Sequence, residues 1–442
     1  MRDCRKLELA LALVASLSAQ LSSPEPARAQ GYREDRAGTE GPGFKTGRLV
    51  LHPGLSLEGG YDSNVFLQDG NEEDSFLLRL TGYLDVATEG SIRQAEGDTQ
   101  QAAPQKIEFR GGLGFAYYHF STDRIGDNAA ADAHVDFSYN PSQVFSLQLR
   151  NVFRRTVRPF ADPNTVEGQT IGYGANNNAA TLDLVGRSKS QVLEGRVGYT
   201  NQFAFFDADI YQYGNSMTHQ VPASLSWSFF PASALVWDFR YSGQRFDAER
   251  VAQSPTLLSD NNRAASAIGY NGALTERFSL SVFVGYAVGF YDIGDDFDGV
   301  TALVEARWRP RPTVTVTGGF NRDFVPSFIG NFTAMNRLYL ETSFIVSGAL
   351  ELGVKGWVSF DKSGLAVTPD GVLLGNQPYR EDIRLFTAFF AEYRFKAWLA
   401  LFGELGYLAD FTDFEYLGVQ PLVEPAASYQ KFQAWLGLRV FY

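Results

Sequence analysis

Most of the chain consists of segments of about ten residues in which apolar and polar side chains alternate. In one such segment the apolar face is Phe76, Leu78, Leu80, Gly82, Leu84 and Val86, and the other face is Ser75, Arg79, Thr81, Tyr83 and Asp85. Segment 350–360 alternates in the same way. Successive side chains of a strand point to opposite faces, so each segment is a strand with one apolar face. A lipid-facing apolar surface explains this repeat better than a sandwich does, and it indicates a transmembrane β-barrel.

The repeat predicts an all-β fold, a single antiparallel up-and-down barrel of about 18 strands, with 16 as the alternative. The predicted strands lie near 50–61, 75–88, 106–118, 130–139, 144–155, 179–187, 191–203, 217–229, 234–242, 263–273, 278–289, 300–308, 313–321, 336–345, 350–360, 380–393, 398–408 and 428–442. Tight turns alternate with longer polar loops, which predicts short periplasmic turns and long extracellular loops. Segment 89–105 is the exception, being long where a short turn is expected.

Aromatic residues are concentrated at both ends of the apolar faces. They are Tyr61, Tyr117, Tyr199, Tyr241, Tyr286, Phe360 and Tyr407 at one end, and Tyr139, Phe229, Tyr270, Trp308, Tyr393 and Tyr442 at the other. Aromatic rings prefer the membrane–water interface, where the ring contacts lipid and its polar atom stays hydrated. The two sets therefore predict two interfacial girdles.

The amino-terminal segment has the pattern of a secretory signal peptide. Basic Arg2, Arg5 and Lys6 precede an apolar stretch at 7–21, and a polar region ends in Ala27-Arg28-Ala29. A membrane anchor is the alternative, but the stretch is shorter than the ~20 residues that span a bilayer. We therefore expect residues 1–29 to be a signal peptide, 30–48 a flexible periplasmic segment and 49–442 a barrel in the cell outer membrane.

The carboxyl-terminal strand is apolar at alternate positions and ends on an aromatic residue. The candidate assembly signal is Phe432, Leu436, Leu438, Val440 and Tyr442. This pattern resembles the signal that the outer-membrane barrel-assembly machinery recognises. A buried strand of a soluble protein could look similar, but the preceding signal peptide favours the membrane interpretation.

Charge and cysteine content exclude several classes of function. The net charge is −12, and removing 1–29 with its four basic and three acidic residues makes it −13, which argues against nucleic acid as a partner. Cys4 is the only cysteine and lies in the signal peptide, so disulfides and thiolate chemistry are excluded from the mature chain.

The polar faces carry charges of both signs, and a barrel of this size has an aqueous interior unless loops fill it. The candidate pore-lining residues are Arg79, Arg110, Arg150, Arg154, Arg240, Arg307, Arg384, Tyr83, Tyr118 and Trp357. Each arginine could instead pair with a carboxylate of the wall. Segment 30–48 is too short to form a folded plug.

No catalytic arrangement is evident, so we expect neither an enzyme nor a cofactor or resident metal. His134 lies between Asp132 and Asp136 on one predicted inward face, where a hydrogen-bonded structural histidine is the better interpretation. The acidic segment 292–298 has oxygen ligands that suit Ca²⁺ but lacks the EF-hand spacing, which favours a solvated loop.

The first predicted strand continues into Tyr61-Asp62-Ser63-Asn64-Val65-Phe66. This segment resembles the opening of the outer-membrane β-barrel porin type-2 family, with Tyr61, Asp62, Ser63 and Asn64 as the family-like motif. The resemblance implies a pore for exopolysaccharide export and gives no catalytic residues. It also implies a periplasmic or inner-membrane polysaccharide-export partner, since this chain lacks the helical-repeat domain of some polysaccharide porins.

Other functions remain open at this point. They are a general diffusion porin for small solutes, a structural barrel in an envelope-spanning machine such as one for motility, and a lipid-modifying barrel enzyme. Whatever the function, the expected partners include outer-membrane lipid, lipopolysaccharide and the assembly machinery, and no nucleic acid.

Overall fold

A computed structural model describes residues 41, 43–70, 72–88, 105–157, 174–207, 209–247, 258–327, 330–368, 370–415, 417 and 428–442. This part of the chain forms strands and one short 3-10 helix at Asp209–Gly214. The strands are β1 (Phe44–Thr46), β2 (Leu49–Asp62), β3 (Ser75–Thr88), β4 (Ile107–Phe120), β5 (Asn128–Ser142), β6 (Phe145–Val157), β7 (Gly174–Arg187), β8 (Leu193–Phe206), β9 (Ser216–Phe230), β10 (Ser233–Phe246), β11 (Asn261–Thr275), β12 (Phe278–Tyr291), β13 (Phe297–Arg311), β14 (Val314–Pro326), β15 (Phe332–Ile345), β16 (Leu350–Leu365), β17 (Tyr379–Lys396), β18 (Leu399–Thr412) and β19 (Tyr429–Phe441). Among the described residues, no helix has the length and apolar composition needed to cross a membrane.

Strands β2 to β19 form one closed antiparallel barrel. Each strand pairs with its neighbour in the chain, and β19 closes the ring against β2 with Phe441 opposite Gly54 and Gln433 opposite Asp62. All eighteen predicted segments are strands of this ring, which confirms the predicted fold class. The 16-stranded alternative is wrong.

The alternation of polarity corresponds to the two surfaces of the barrel. On β3, Phe76 is 66% exposed on the outside, whereas Arg79 faces the interior and is 6% exposed. Leu57 and Leu438 are opposite each other on the outer faces of β2 and β19, and both are exposed. The outer surface is therefore a continuous apolar belt, as a lipid-exposed barrel requires.

Aromatic residues border this belt at both levels, as predicted. Tyr117, Tyr199, Tyr241, Tyr286 and Phe360 are exposed at one end, and Phe229, Trp308, Tyr393 and Tyr442 at the other. The hydroxyl of Tyr199 lies 2.6 Å from Nδ1 of His219, and that of Tyr286 donates to Asp298. The hydroxyl groups thus have polar partners while the rings stay on the outer surface, which is the arrangement expected at an interface.

The two ends of the barrel differ in their connections. At the turn end, β5–β6, β9–β10, β11–β12, β13–β14 and β17–β18 are each joined by two residues. At the other end, which we call the loop end, connections such as 366–378 are longer. Two connections there, 292–296 and 327–331, are shorter than predicted because the strands on both sides extend beyond their predicted bounds. Segment 89–104 and the proposed signal peptide lie outside the described residues.

A short extra strand lies outside the ring at the turn end. β1 pairs with β2, with Phe44 opposite Leu51, on the same edge of β2 that pairs with β19. The ring of Phe44 stacks on that of Tyr442 at 4.1 Å between centroids. These last residues of the segment predicted to be flexible form an antiparallel strand, which satisfies the edge of β2 beyond the end of β19.

Candidate functional site: the barrel lumen

Part of the inner wall is open to water. Leu149 and Leu182 face outward, so Arg150 and Thr181, which are opposite each other on β6 and β7, face inward. The Arg150 side chain is 64% exposed although it points into the barrel. The inward residues Gln202, Asp238 and Arg240 are exposed as well. The open part of the lumen therefore runs along β6 to β10.

Much of this open wall carries no charge. Two transverse rows lie on this wall, with Thr181, Thr200 and Gln220 across β7 to β9 and Gln202, Thr218 and Gln244 across β8 to β10. We call these six residues the neutral patch. The hydroxyls of Thr181 and Thr200 are 2.9 Å apart. With strands about 4.8 Å apart, the patch presents hydroxyl and amide groups over about 15 Å of wall.

The opposite side of the inner wall is filled by buried ion pairs. Arg79 donates from Nε to Glu58 at 2.6 Å, and its guanidinium lies 4.4 Å from the ring of Trp435. The other buried pairs are Arg380 with Asp382 and Asp410, Arg384 with Asp361, and Arg439 with Glu392, which also contacts the partly exposed Arg394. Charges this deeply buried are tolerated only when paired and hydrogen-bonded. These residues of β2, β3 and β16 to β19 stabilise the wall.

The candidate pore-lining residues divide between these two environments. Arg150, Arg240 and Arg307 are exposed in the interior, and Arg110, Arg154 and Tyr83 are partly exposed. Arg79, Arg384, Tyr118 and Trp357 face inward but are buried. The last four pack against charged and aromatic neighbours, so their contact with a passing solute stays a prediction. Trp357, for example, lies under the guanidinium of Arg337 at 4.3 Å.

Tyr83 is also constrained by its neighbour across the sheet. Its ring lies over Gly54, where an added Cβ would come within 1.9 Å of Cζ. Only a residue without a side chain allows this approach of the ring to the backbone. Tyr83 is therefore packed on the wall of β2 rather than extended into the lumen.

The loop after β2 folds into the barrel. We call residues 63–70 the lumen loop. Leu67 is 1% exposed and belongs to one packed apolar cluster with Ala175, Phe206, Trp357, Leu408 and Tyr429. In a ring of eighteen strands, β7, which carries Ala175, lies opposite β16, which carries Trp357. The lumen loop and its cluster therefore cross the lumen near the loop end.

Two neighbouring residues of the lumen loop pack on the inner wall. Val65 and Phe66 are buried in a second cluster with Leu77, Tyr118, Phe120 and Ile125. The family-like motif and Glu73 fix this loop in place. Sequence reasoning missed this role, although three consecutive apolar residues in a segment expected to be a polar loop were an available signal.

The family-like motif attaches the lumen loop to β19. Asp62 forms an ion pair with Lys431 and accepts a hydrogen bond from Gln433. The backbone N–H of Ser63 donates to the carbonyl of Phe432, and the N–H of Phe432 donates to the Ser63 hydroxyl, both at 2.9 Å. The buried amide of Asn64 donates to the carbonyls of Gln68 and Gln430 at 2.8 and 2.9 Å. Tyr61 instead faces the membrane, with its ring 5.4 Å from that of Phe76.

A second attachment connects the loop region to the β4–β5 connection. Thr122 donates a hydrogen bond to Glu73, and Arg124 contacts the same carboxylate at 2.7 Å. These two interactions, the hydrogen bond from Thr122 foremost, lower the pKa of Glu73 below its ordinary value. The Arg124 guanidinium also lies 4.4 Å from the ring of Phe66.

The candidate assembly-signal residues form the outer face of the closing strand. Phe432, Leu436, Leu438 and Val440 are exposed on the apolar belt, and the backbone N–H of Tyr442 donates to Pro53 at 3.0 Å. Their recognition by the assembly machinery stays a prediction.

The other candidate chemistry does not form a centre. His134 Nε2 lies 3.2 Å from the buried carboxylate of Asp85, a contact between two residues of the wall. In segment 292–298, Asp296 accepts from the backbone of Tyr291, and Asp298 accepts from Tyr286. Within the described ranges, no three His, Cys, Asp or Glu side chains are arranged to hold a metal ion, and the calcium interpretation gains no support.

Comparison with known proteins shows that this chain resembles solved structures in its fold alone. No protein-family model matches the chain, and no curated protein matches it either, so the resemblance to the porin type-2 family gains no support. The chain is similar to the solved structure of OccAB4 from Acinetobacter baumannii, with 9% identity over 89% of this chain and 98% of that one and a TM-score of 0.44. It is also similar to the outer membrane protein OpdK from Pseudomonas aeruginosa, with 9% identity over 89% and 99% and a TM-score of 0.44. The FrpB iron transporter from Neisseria meningitidis has 10% identity over 94% and 83% and a TM-score of 0.46. With its closed ring, apolar belt and two aromatic girdles, this chain is an outer-membrane β-barrel.

Proposed function

We propose that this chain is a pore that conducts hydroxyl-rich solutes across the outer membrane, and that its cargo is an exopolysaccharide leaving the cell. The observation that carries the proposal is the neutral patch beside the exposed Arg150 and Arg240 in the open lumen. The proposal includes a separate periplasmic or inner-membrane protein that delivers the polymer to the turn end.

The chemistry of the patch matches that of a sugar chain. Each sugar hydroxyl both donates and accepts hydrogen bonds, and the side chains of Thr200, Gln202 and Gln220 do the same. Arginine adds several donors in a planar group, which suits hydroxyl oxygens and any carboxylates along the polymer. A transported chain must leave each contact as readily as it enters, which favours many weak contacts over one strong site.

The charges beside the patch are balanced, which supports a path with little preference for either sign. Arg150 pairs with Asp136 at 2.7 Å, and both side chains are substantially exposed. Asp238 and Arg240 are inward and exposed on the same strand. An exposed pair of this kind contributes little net field to a passing solute because water screens it.

A second candidate is a general diffusion porin for small solutes. The lumen loop favours it, because a cluster that crosses the lumen leaves less width for a polymer than for a single sugar. The two functions differ in what a deletion changes, since only export predicts loss of surface polymer.

The test is a deletion strain complemented with wild type or with the double variant Arg150→Gln, Arg240→Gln. Export predicts loss of surface polysaccharide in the deletion and a reduced amount in the double variant at unchanged barrel abundance. The matched control is Arg277→Gln with Arg311→Gln, which removes the same charge at the turn end. Surface polysaccharide that persists in the deletion would exclude export, and impaired uptake of small sugars by that strain would then favour the diffusion porin.

A further inference from the structure

We propose that the lumen loop is a fixed constriction of the pore and that Leu67 determines the largest solute that passes. This inference rests on the proposed pore function but not on the identity of the cargo. It assigns a specificity-determining role to a residue that lies outside the predicted lining.

The backbone at Leu67 is held in a conformation that its side chain disfavours. Its φ is +51°, in the left-handed region that residues with a branched or bulky side chain rarely adopt. Such a conformation persists where surrounding contacts determine it. Here those contacts come from the apolar cluster of Leu67, which includes Phe206 on one side of the barrel and Trp357 and Tyr429 on the other.

Both ends of the loop region are attached to different parts of the wall. Asn64 is completely buried and hydrogen-bonded to Gln430 at the start of β19. At the other end, Glu73 contacts Arg124 in the β4–β5 connection, and its carbonyl accepts from the N–H of Val65 at 2.8 Å. Two attachments and two apolar clusters therefore fix this loop inside the lumen.

Beside the constriction, the inner wall of the barrel is open to water on one side only. The inward residues of β16 to β19 are largely buried, whereas Arg150, Gln202 and Arg240 are exposed. The cluster that contains Leu67 therefore narrows the route from the loop end to the open wall of β6 to β10. The side chain of Leu67 is the part of this barrier that a substitution can remove without moving the barrel.

The test uses the full mature chain in planar lipid bilayers with KCl and poly(ethylene glycol) of increasing size. Leu67→Gly removes the side chain and also suits the positive φ, so the loop backbone should keep its course. We expect a larger single-channel conductance and a shift of the polymer exclusion limit to larger sizes. Val372→Gly, an exposed apolar residue of another loop, is the matched control and should behave as wild type.

A second variant changes the opposite wall instead of the loop. Phe206→Ala removes one partner of Leu67 on β8 and should shift the exclusion limit in the same direction. Heat-modifiable mobility verifies that each variant is folded. Conduction by wild type with no change in either folded variant would overturn the constriction and leave the pore function standing, whereas no conduction by wild type or variants would overturn both.

Discussion

The ammonium group of Lys431 lies 2.7 Å from a carboxylate oxygen of Asp62, and the two side chains are 1% and 0% exposed. Gln433 donates to the same oxygen at 3.0 Å. The three residues join β19 to β2 where the barrel closes and where the lumen loop begins. One buried ion pair therefore lies where the ring closes and where the lumen loop begins.

Replacing Asp62 by Asn should destabilise the barrel strongly. The buried ammonium would lose its counter-charge, and removal of one partner from a buried pair costs about 3–5 kcal/mol. The free energy of unfolding in urea, measured in lipid vesicles, would show the loss. Glu381→Gln is the matched control, because its partner Lys362 lies at 2.6 Å with side chains 65% and 55% exposed. That control should change stability by about 1 kcal/mol or less, and equal losses in both variants would contradict the prediction.

A new charge should destabilise the barrel to different extents at two adjacent residues in the middle of β7. Leu182 faces lipid and Thr181 faces the open lumen. Leu182→Arg should cost about 2–4 kcal/mol of folding free energy, as a charge on the lipid face near the membrane midplane does. Thr181→Arg should cost much less because water reaches that side chain. The same unfolding titration compares them, and a larger loss for Thr181→Arg would invert the assignment of the two faces.

The strands could be predicted from the sequence because lipid and lumen impose opposite polarity on alternate residues. Strand β3 shows this directly, with the predicted segment 75–88 observed as Ser75–Thr88. The same rule identifies Arg79 and Arg384 as inward. It could not identify them as buried, since their burial depends on which carboxylates the ring brings beside them.

The lumen loop shows a second limit of the pattern. Alternation describes strands, and it gives no information on whether a connecting segment extends into water or folds back. The cluster that contains Leu67 also includes residues of β7, β8, β16, β18 and β19, and these are brought together only when the ring closes. The β1 strand was missed for a related reason, because three residues are too few to show a period of two.

The orientation of the barrel can be tested with single cysteines on intact cells. Val372, in the connection 366–378, is exposed at the loop end, and Arg311 is exposed at the turn end. We expect Val372→Cys to react with a membrane-impermeant maleimide and Arg311→Cys to react only after the cells are broken. The native Cys4 lies in the proposed signal peptide, so the unsubstituted chain serves as the unlabelled control. Labelling of Arg311→Cys alone on intact cells would reverse the topology.

Acid should weaken the attachment of the lumen loop through Glu73. Its carboxylate is stabilised by Thr122 and Arg124, and its pKa lies below the ordinary value of 4.5. A group whose pKa is lower in the folded state contributes stability above the unfolded value, and this contribution is lost as pH falls through the folded value. Glu73→Gln should therefore lower the melting temperature in detergent at neutral pH.

The difference between wild type and Glu73→Gln should remain constant down to about pH 4.5 and then shrink, because protonated wild type loses the same interactions. Glu276→Gln is the charge-matched control, since Glu276 is exposed in a two-residue connection at the turn end. The control should melt like wild type throughout. A difference for Glu73→Gln that grows as the pH falls below 4.5 would mean that the interactions at Glu73 favour the protonated carboxyl group, contrary to the lowered pKa.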